Sequence, residues 1–366
     1  MTNLQLSEQD LGKIFLLVLL ATLLFGLSGL VGILVMLWVT RQQYAQEDSD
    51  KHGISELNAS RMGGVVIIGL TLVFLVAHYM VGHPFLDVGP LGIHAWGWTA
   101  FVLCFLLGLV EDLNNDVLSP RSRLIVLALI FGLVFVVWPE IVPNNLGFVP
   151  IDKLMSYSLV GWLLSVLFSV GFINAINMAD GANGLVPGIV FLSALIFYSV
   201  VGAFMWEALL VVSGVFLMFN VGSGRLFLGD AGSYGLGAIL LLGGLHAVNS
   251  SWVSLGFAAV MMSYPCIELL VSILRRGLTG RSIFKPDNFH LHNYIYQRLT
   301  AKSQSKVLAN SATGLIIASA STGVAYLGIY MDWLSAIDDA WGWVFAAQFL
   351  VYLICYALLS QDSAET

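Results

Sequence analysis

This chain has little charge, little proline and almost no cysteine. Of its 366 residues, 10% are Asp, Glu, Lys or Arg, nine are Pro and three are Cys. So few charges exclude an ordinary soluble domain, where about a quarter of residues are charged. Cys104, Cys266 and Cys355 lie inside apolar stretches with no CxxC spacing, so neither a disulfide framework nor a cysteine zinc site is supported. Internal repeats and low-complexity tracts are absent, and no nucleic-acid partner is expected. A cleavable signal peptide is not evident either: the first apolar stretch, 13–39, is too long for a signal core and reads as a first transmembrane helix.

What is abundant is apolar. Hydrophobic residues make up 58% of the chain, aromatics 12%, and there are 37 Gly; the mean hydropathy is +0.88. That suits tightly packed membrane helices, each needing about 20 apolar residues to cross. Eleven stretches qualify, near 13–39, 63–81, 92–110, 123–138, 158–176, 184–202, 205–220, 233–247, 252–274, 311–330 and 341–359. With the N-terminus outside, 13 of the 15 Lys and Arg fall on the inner side, leaving only Lys13 and Lys153 outside. The expectation is an all-α polytopic membrane protein, one domain over 1–366, with a periplasmic N-terminus and a cytoplasmic C-terminus. Residues 275–310 form the longest inner loop, with seven basic residues against one acid, Asp287. The outer segment 139–157, rich in Pro and Asn, is expected to make a turn or hairpin.

Four polar clusters interrupt the apolar sequence, and this topology puts all of them on the inner side. Ionisable groups cost several kcal/mol in hydrocarbon, so their gathering suggests a site. Glu111 and Asp112 follow an apolar helix; they could hold Mg²⁺ or take a proton from a phosphate, or be a solvated helix end. Asn174, Asn177, Asp180 and Asn183 recur every three residues, a helical stripe that must face protein or a wet cavity. Gly181 and Gly184 suggest that this helix then breaks. Asp230, the only acid in Phe227–Ser233, is either a hard oxygen ligand for Mg²⁺ shared with substrate phosphates or the N-cap of the next helix. His290 and His292 sit in the basic loop; no third ligand completes a zinc site, and a phosphate contact fits better. Glu268, inside an apolar stretch, reads as structural and locally paired.

In order, these stretches resemble the polyprenyl-phosphate N-acetylhexosamine-1-phosphate transferase superfamily. The carrying segments are RMGG (Arg61–Gly64), GLVEDLNNDVLSPRSRL (Gly108–Leu124), NAINMADGANGL (Asn174–Leu185), FN (Phe219–Asn220), FLGDAGSYGLG (Phe227–Gly237) and PDNFHLHN (Pro286–Asn293). The resemblance implies transfer of HexNAc-1-phosphate from a UDP-HexNAc, GlcNAc first, to undecaprenyl phosphate, releasing UMP. QuiNAc, FucNAc and GalNAc are alternative sugars, and a transporter or inactive scaffold are rival classes. It implies Mg²⁺, with Mn²⁺ as an alternative, held by Asp230 and Asn177. Glu111, Asp112, His290 and His292 become catalytic candidates, Asp112 with more weight than Glu111 because the family usually has Asp at both positions. Arg61, Arg123, Asn174, Asp180, Asn183, Asn220, Arg225, Arg276 and Lys285 become substrate-binding candidates, Asn183 at the uracil and Arg123 at the pyrophosphate. The HLHN ending departs from the usual HxHH. Without a PLHHH-type segment the chain resembles the O-antigen or capsule-initiating branch. The resemblance also implies an inner-membrane location, a cytoplasmic site and a possible homodimer.

Overall fold

The computed structural model describes residues 8–42, 46–47, 59–80, 95–114, 117–143, 146, 149–283, 287–303 and 305–362. Among them are fifteen α-helices, a short 3₁₀ turn and a two-stranded ribbon. The helices are α1 (Glu8–Val39), α2 (Gly63–Met80), α3 (Ala95–Leu113), α4 (Pro120–Val137), α5 (Val149–Met155), α6 (Ser158–Ala179), α7 (Leu185–Val201), α8 (Phe204–Ser223), α9 (Gly229–Asn249), α10 (Leu255–Met261), α11 (Ser263–Leu278), α12 (Leu291–Thr300), α13 (Lys306–Ala320), α14 (Thr322–Tyr330) and α15 (Trp341–Asp362). Eight are long and apolar enough to cross a membrane, or ten spans if each of two bent pairs counts as one. The 17-residue α7 is a shorter apolar helix. Each expected stretch overlaps at least one of these helices, and the chain is an all-α, multi-pass membrane protein.

Helix α9 is the hub. It packs against α2, α3 and α6, and its first ten residues are almost all buried. Glycine makes the close approach possible: a Cβ at Gly64 on α2 would collide with the backbone of Gly232, and one at Gly108 on α3 with the backbone of Asp230. Small residues at such crossings let helix backbones meet in a membrane. The chain entering α2 lies along the turn entering α9. Ser60 donates its N–H to the Arg225 carbonyl (3.0 Å) and accepts from Phe227 N–H (2.8 Å), and Gly63 and Gly64 donate to the Phe227 and Leu228 carbonyls (2.9 and 2.7 Å). Strand Ala59–Ser60 also pairs antiparallel with Gln46–Glu47.

Three sequence expectations change. The stretch 252–274 is two helices, α10 and α11, meeting at 80°, and 311–330 is α13 and α14 bent by 49°. Pro265 removes the N–H that would bond the Met261 carbonyl, four residues back; Thr322 Oγ1, at the other bend, donates to that carbonyl at 2.6 Å. One bend therefore supplies the donor that the other lacks. The segment 139–157, expected outside as a turn or hairpin, opens with the 3₁₀ turn Pro139–Ile141 and also holds α5, where Asp152 in the first turn accepts the Leu146 N–H at 2.6 Å. The long loop 275–310 contains α12, and its ends belong to α11 and α13.

Candidate active site

The polar residues converge at one end of the bundle. α3 continues past Glu111 and Asp112, so both acids occupy its last turn, and both are buried. Asp112 is 4% exposed; its Oδ1 accepts the Asp230 N–H at 3.0 Å and its Oδ2 the Ala231 N–H at 2.8 Å. A helix N-terminus leaves its first N–H groups unpaired and attracts negative charge. Asp112 thus caps α9 from another helix, the role that Asp230 would have taken as a local N-cap. Asp230 lies inside the first turn of α9, and no side chain caps it from position 228.

The Asp230 side chain, 31% exposed, is consequently free to face its neighbours. Asn177 Nδ2 donates to Asp230 Oδ1 at 2.6 Å and to Ser233 Oγ at 2.9 Å. Arg123, from the first turn of α4, lies between two carboxylates, 3.9 Å from Asp230 Oδ2 and 3.7 Å from Glu111 Oε2. Glu111 Oε1 accepts the Leu118 N–H at 3.1 Å, which folds the α3–α4 turn so that Arg123 reaches the acids. Arg61 stands within electrostatic reach of Asp112. The result is a polar cluster in which one part-exposed carboxylate, Asp230, lies beside one amide, Asn177, and the Arg123 guanidinium. Among the described residues no three His, Cys, Asp or Glu converge into an all-protein metal cage. A single exposed carboxylate is the donor set expected for Mg²⁺ shared with substrate phosphates.

The asparagine stripe is shorter than its spacing suggests. α6 ends at Ala179 with Asp180 as its C-cap, and Gly184 in the left-handed region (φ 79°) starts α7. The expected break is there, and Asn183 lies within it, past the end of α6. Asn174 spends its Nδ2 on the Val170 carbonyl (2.7 Å). The Asn183 backbone N–H meets Asn310 Oδ1 at 3.3 Å, while its own buried Oδ1 has no hydrogen-bond partner among the described residues. Asn220 is wholly committed to backbone: Oδ1 accepts the Gly184 N–H at 2.6 Å and Nδ2 donates to the Leu226 carbonyl at 2.8 Å. It joins the two breaks instead of facing open space. The Arg225 backbone belongs to the α8–α9 turn, donating to Ser223 Oγ at 3.2 Å.

The histidine segment packs against that break. His290 and His292 are buried and stacked, with ring centroids 5.4 Å apart. A Cβ at Gly181 would strike the His292 imidazole, so the segment and the end of α6 touch. Burial pushes the His292 imidazole down to about 4, against the opposing pull of Glu268. Arg275 donates to both Asp287 oxygens (2.9 and 3.0 Å), and Arg276 to Asp287 Oδ2 (2.9 Å) and the Ile283 carbonyl (2.9 Å). Partial burial alone would raise the Asp287 carboxyl; the hydrogen bonds from Arg275 and Arg276 overcome it and hold the group well below the usual carboxylate range. Lys285 lies outside the described residues. Sequence reasoning missed Ser233 as a partner of Asn177. It also missed the reach of Glu268, whose signal was simply an acid in an apolar span.

These features define a multi-pass membrane protein with a polar site at one end of its bundle. Residues 95–248, which run from α3 through nearly all of α9, match glycosyl transferase family 4. A phospho-N-acetylmuramoyl-pentapeptide-transferase of Streptococcus thermophilus is 30% identical over 280 residues, covering 68% of this chain and 78% of that protein. An undecaprenyl-phosphate alpha-N-acetylglucosaminyl 1-phosphate transferase of Thermotoga maritima is 29% identical over 201 residues, 53% of this chain and 59% of that protein. The Escherichia coli K12 protein of the same name is 25% identical over 313 residues, 81% of this chain and 78% of that protein. The chain belongs to glycosyl transferase family 4.

Proposed function

We propose that this protein transfers HexNAc-1-phosphate from a UDP-HexNAc, first of all UDP-GlcNAc, to undecaprenyl phosphate at the cytoplasmic face of the inner membrane, and so starts an O-antigen or capsule-type polysaccharide. An oxygen of the lipid phosphate attacks the sugar-bearing β-phosphorus. The bond from that phosphorus to the bridging oxygen breaks, and UMP leaves with that oxygen. The observation that carries this reading is the grouping of Asp230, Asn177, Arg123 and Glu111 at one bundle end, where a charged donor from water and a lipid-borne acceptor can meet. The names of the relatives agree with transfer of a sugar phosphate to a polyprenyl carrier.

Asp230, with Asn177 beside it, would hold Mg²⁺ or Mn²⁺; such an ion supplies neutralisation of charge on the diphosphate. Arg123 faces the same charge from α4, and phosphoryl transfer depends mainly on positioning and charge neutralisation. Glu111 is the acid whose Oε2 faces Arg123; it orients the acceptor phosphate or takes its proton. Asp112, with both oxygens on backbone N–H groups, keeps α9 and hence Asp230 in place. The unpartnered Oδ1 of Asn183 is offered to an N–H of the uracil. His290 and His292 close on the phosphates from the far side, with Arg61, Arg225 and Lys285 as further phosphate contacts. The test is UMP release from purified protein given undecaprenyl phosphate, Mg²⁺ and a panel of UDP-HexNAc donors. Turnover with a GlcNAc, GalNAc, QuiNAc or FucNAc donor supports the reading; no turnover with any of them, in protein shown to be folded, overturns it.

A further inference from the structure

Glu268 lies in the bent span α10–α11 and is wholly buried. A lone carboxylate there would be expensive, yet this one has five donors. Oε1 accepts from His290 Nδ1 (2.9 Å) and Ser272 Oγ (3.3 Å). Oε2 accepts from Tyr352 OH (2.8 Å), Leu291 N–H (3.0 Å) and Tyr264 OH (3.2 Å). The donors come from α11, the start of α12 and the last helix, α15. A second tie from α15, Tyr356 OH to the Phe289 carbonyl at 3.0 Å, holds the residue just before His290.

A carboxylate only accepts hydrogen bonds, so the proton facing Glu268 must belong to His290 Nδ1. The consequence extends to the second ring. Tyr264 has one proton and gives it to Glu268. Its oxygen then accepts from the His292 backbone N–H (3.2 Å) and from His292 Nδ1 (2.8 Å). Each imidazole therefore carries a proton on Nδ1, which in the neutral ring leaves Nε2 bare. That of His292 abuts Gly181 at the end of α6, and that of His290 lies 3.8 Å from Asp287 Oδ1.

We propose that Glu268 is a positioning residue that fixes the tautomer and the aim of His290 and His292 for the transfer reaction. Its role in turnover rests on the function proposed above; its hold on the tautomers does not. A carboxylate behind an imidazole is a general way of setting ring orientation and tautomer.

Glu268→Gln is a sharp probe because the amide must put its NH₂ group on one side. The Oε2 side meets three donors, including a backbone N–H that cannot reverse. The Oε1 side meets only Ser272, whose hydroxyl can turn to accept, and His290. The NH₂ group therefore goes to the Oε1 side, donates to His290 Nδ1 and forces the proton to Nε2. The experiment is ¹⁵N-histidine NMR on the full chain in lipid nanodiscs, with signals assigned by His290→Gln and His292→Gln. The wild-type protein is expected to show the Nδ1–H tautomer at both residues, and Glu268→Gln to switch His290 to Nε2–H. UMP release by Glu268→Gln is expected to fall by at least ~10²-fold, as a wrongly protonated histidine can cost. In a His290→Ala background the same substitution should cost less than about threefold, since residues acting as a unit are non-additive. An Nε2–H tautomer at His290 in the wild type overturns the proposal. So does an unchanged tautomer in folded Glu268→Gln, or a full additional loss in the His290→Ala background. If the wild-type chain releases no UMP, it is the transferase reading that fails, while the NMR result still decides what Glu268 does.

Discussion

Asp112 holds Asp230 by its backbone. The Asp112 carboxylate, on the last turn of α3, accepts the N–H groups of Asp230 and Ala231 at 3.0 and 2.8 Å. This contact fixes the first turn of α9 and leaves the Asp230 side chain free for Asn177. Asp112→Asn keeps the shape but turns one acceptor into a donor facing an N–H. Losing a buried partner in this way costs about 1–3 kcal/mol. Thermal unfolding in detergent should show that loss, together with a fall in UMP release on the order of 10²-fold as Asp230 shifts. Lost turnover with no change in unfolding temperature would instead give Asp112 a direct chemical role.

Asp230→Ala separates chemistry from folding in the opposite way. The side chain is 31% exposed, and Asn177 retains its bond to Ser233 Oγ. Stability should change by no more than about 1 kcal/mol, while UMP release falls by ~10³-fold or more. Near-normal turnover in this variant would remove Asp230 from the centre of the site.

Two glycine substitutions should behave oppositely. A Cβ at Gly108 meets the rigid backbone of Asp230, whereas one at Gly69 on α2 meets nothing within 4 Å. Gly108→Ala is expected to destabilise by about 1–3 kcal/mol through overpacking and to lower turnover. Gly69→Ala should be neutral or stabilising by up to ~1 kcal/mol, because Ala is the better helix former. Unfolding curves of the two variants test whether α3 and α9 touch as described.

His292 makes stability depend on pH. It is buried and neutral when folded, with a pKa of about 4, against an ordinary value of 6.5. Between these values the unfolded chain binds a proton that the folded chain refuses, so stability rises with pH across this window. The contribution is complete above pH 6.5 and fades as pH falls towards about 4, a loss on the order of 3 kcal/mol. Asp287 acts in a lower window. Its depressed folded pKa contributes stability that is present above the unfolded carboxyl's ~3.9 and lost below it. Unfolding temperature followed from pH 7 to pH 4.5 should fall in the wild type and be flatter in His292→Gln.

The helical framework and the polar clusters were legible because both are local. A run of apolar residues announces a span, and Glu111, Asn177, Asp230 and His290 each stood out against it. What stayed hidden depends on residues far apart in sequence. Asp112 caps a helix that starts 117 positions later, taking the cap that a local reading assigns to Asp230. Glu268 looked locally paired, and two of its donors, Tyr264 and Ser272, are local; the donors that give it a purpose are His290 and Tyr352. The 80° bend at Met262 had a local sign in Pro265, but the hydroxyl that stabilises it belongs to Thr322. Asn220 shows the limit from the other side: a motif residue expected to touch substrate has both ends of its amide on backbone.

The central claim is that the acids, amide and cations at this end of the bundle move a sugar phosphate onto a lipid phosphate. The direct measurement uses UDP-GlcNAc labelled with ³²P on the β-phosphate, with purified protein, Mg²⁺ and undecaprenyl phosphate. Label is expected in the lipid product, with one UMP released per label transferred and loss of both in Asp230→Ala. Label that stays in water-soluble species while UMP is released, or transfer that survives Asp230→Ala, would contradict it.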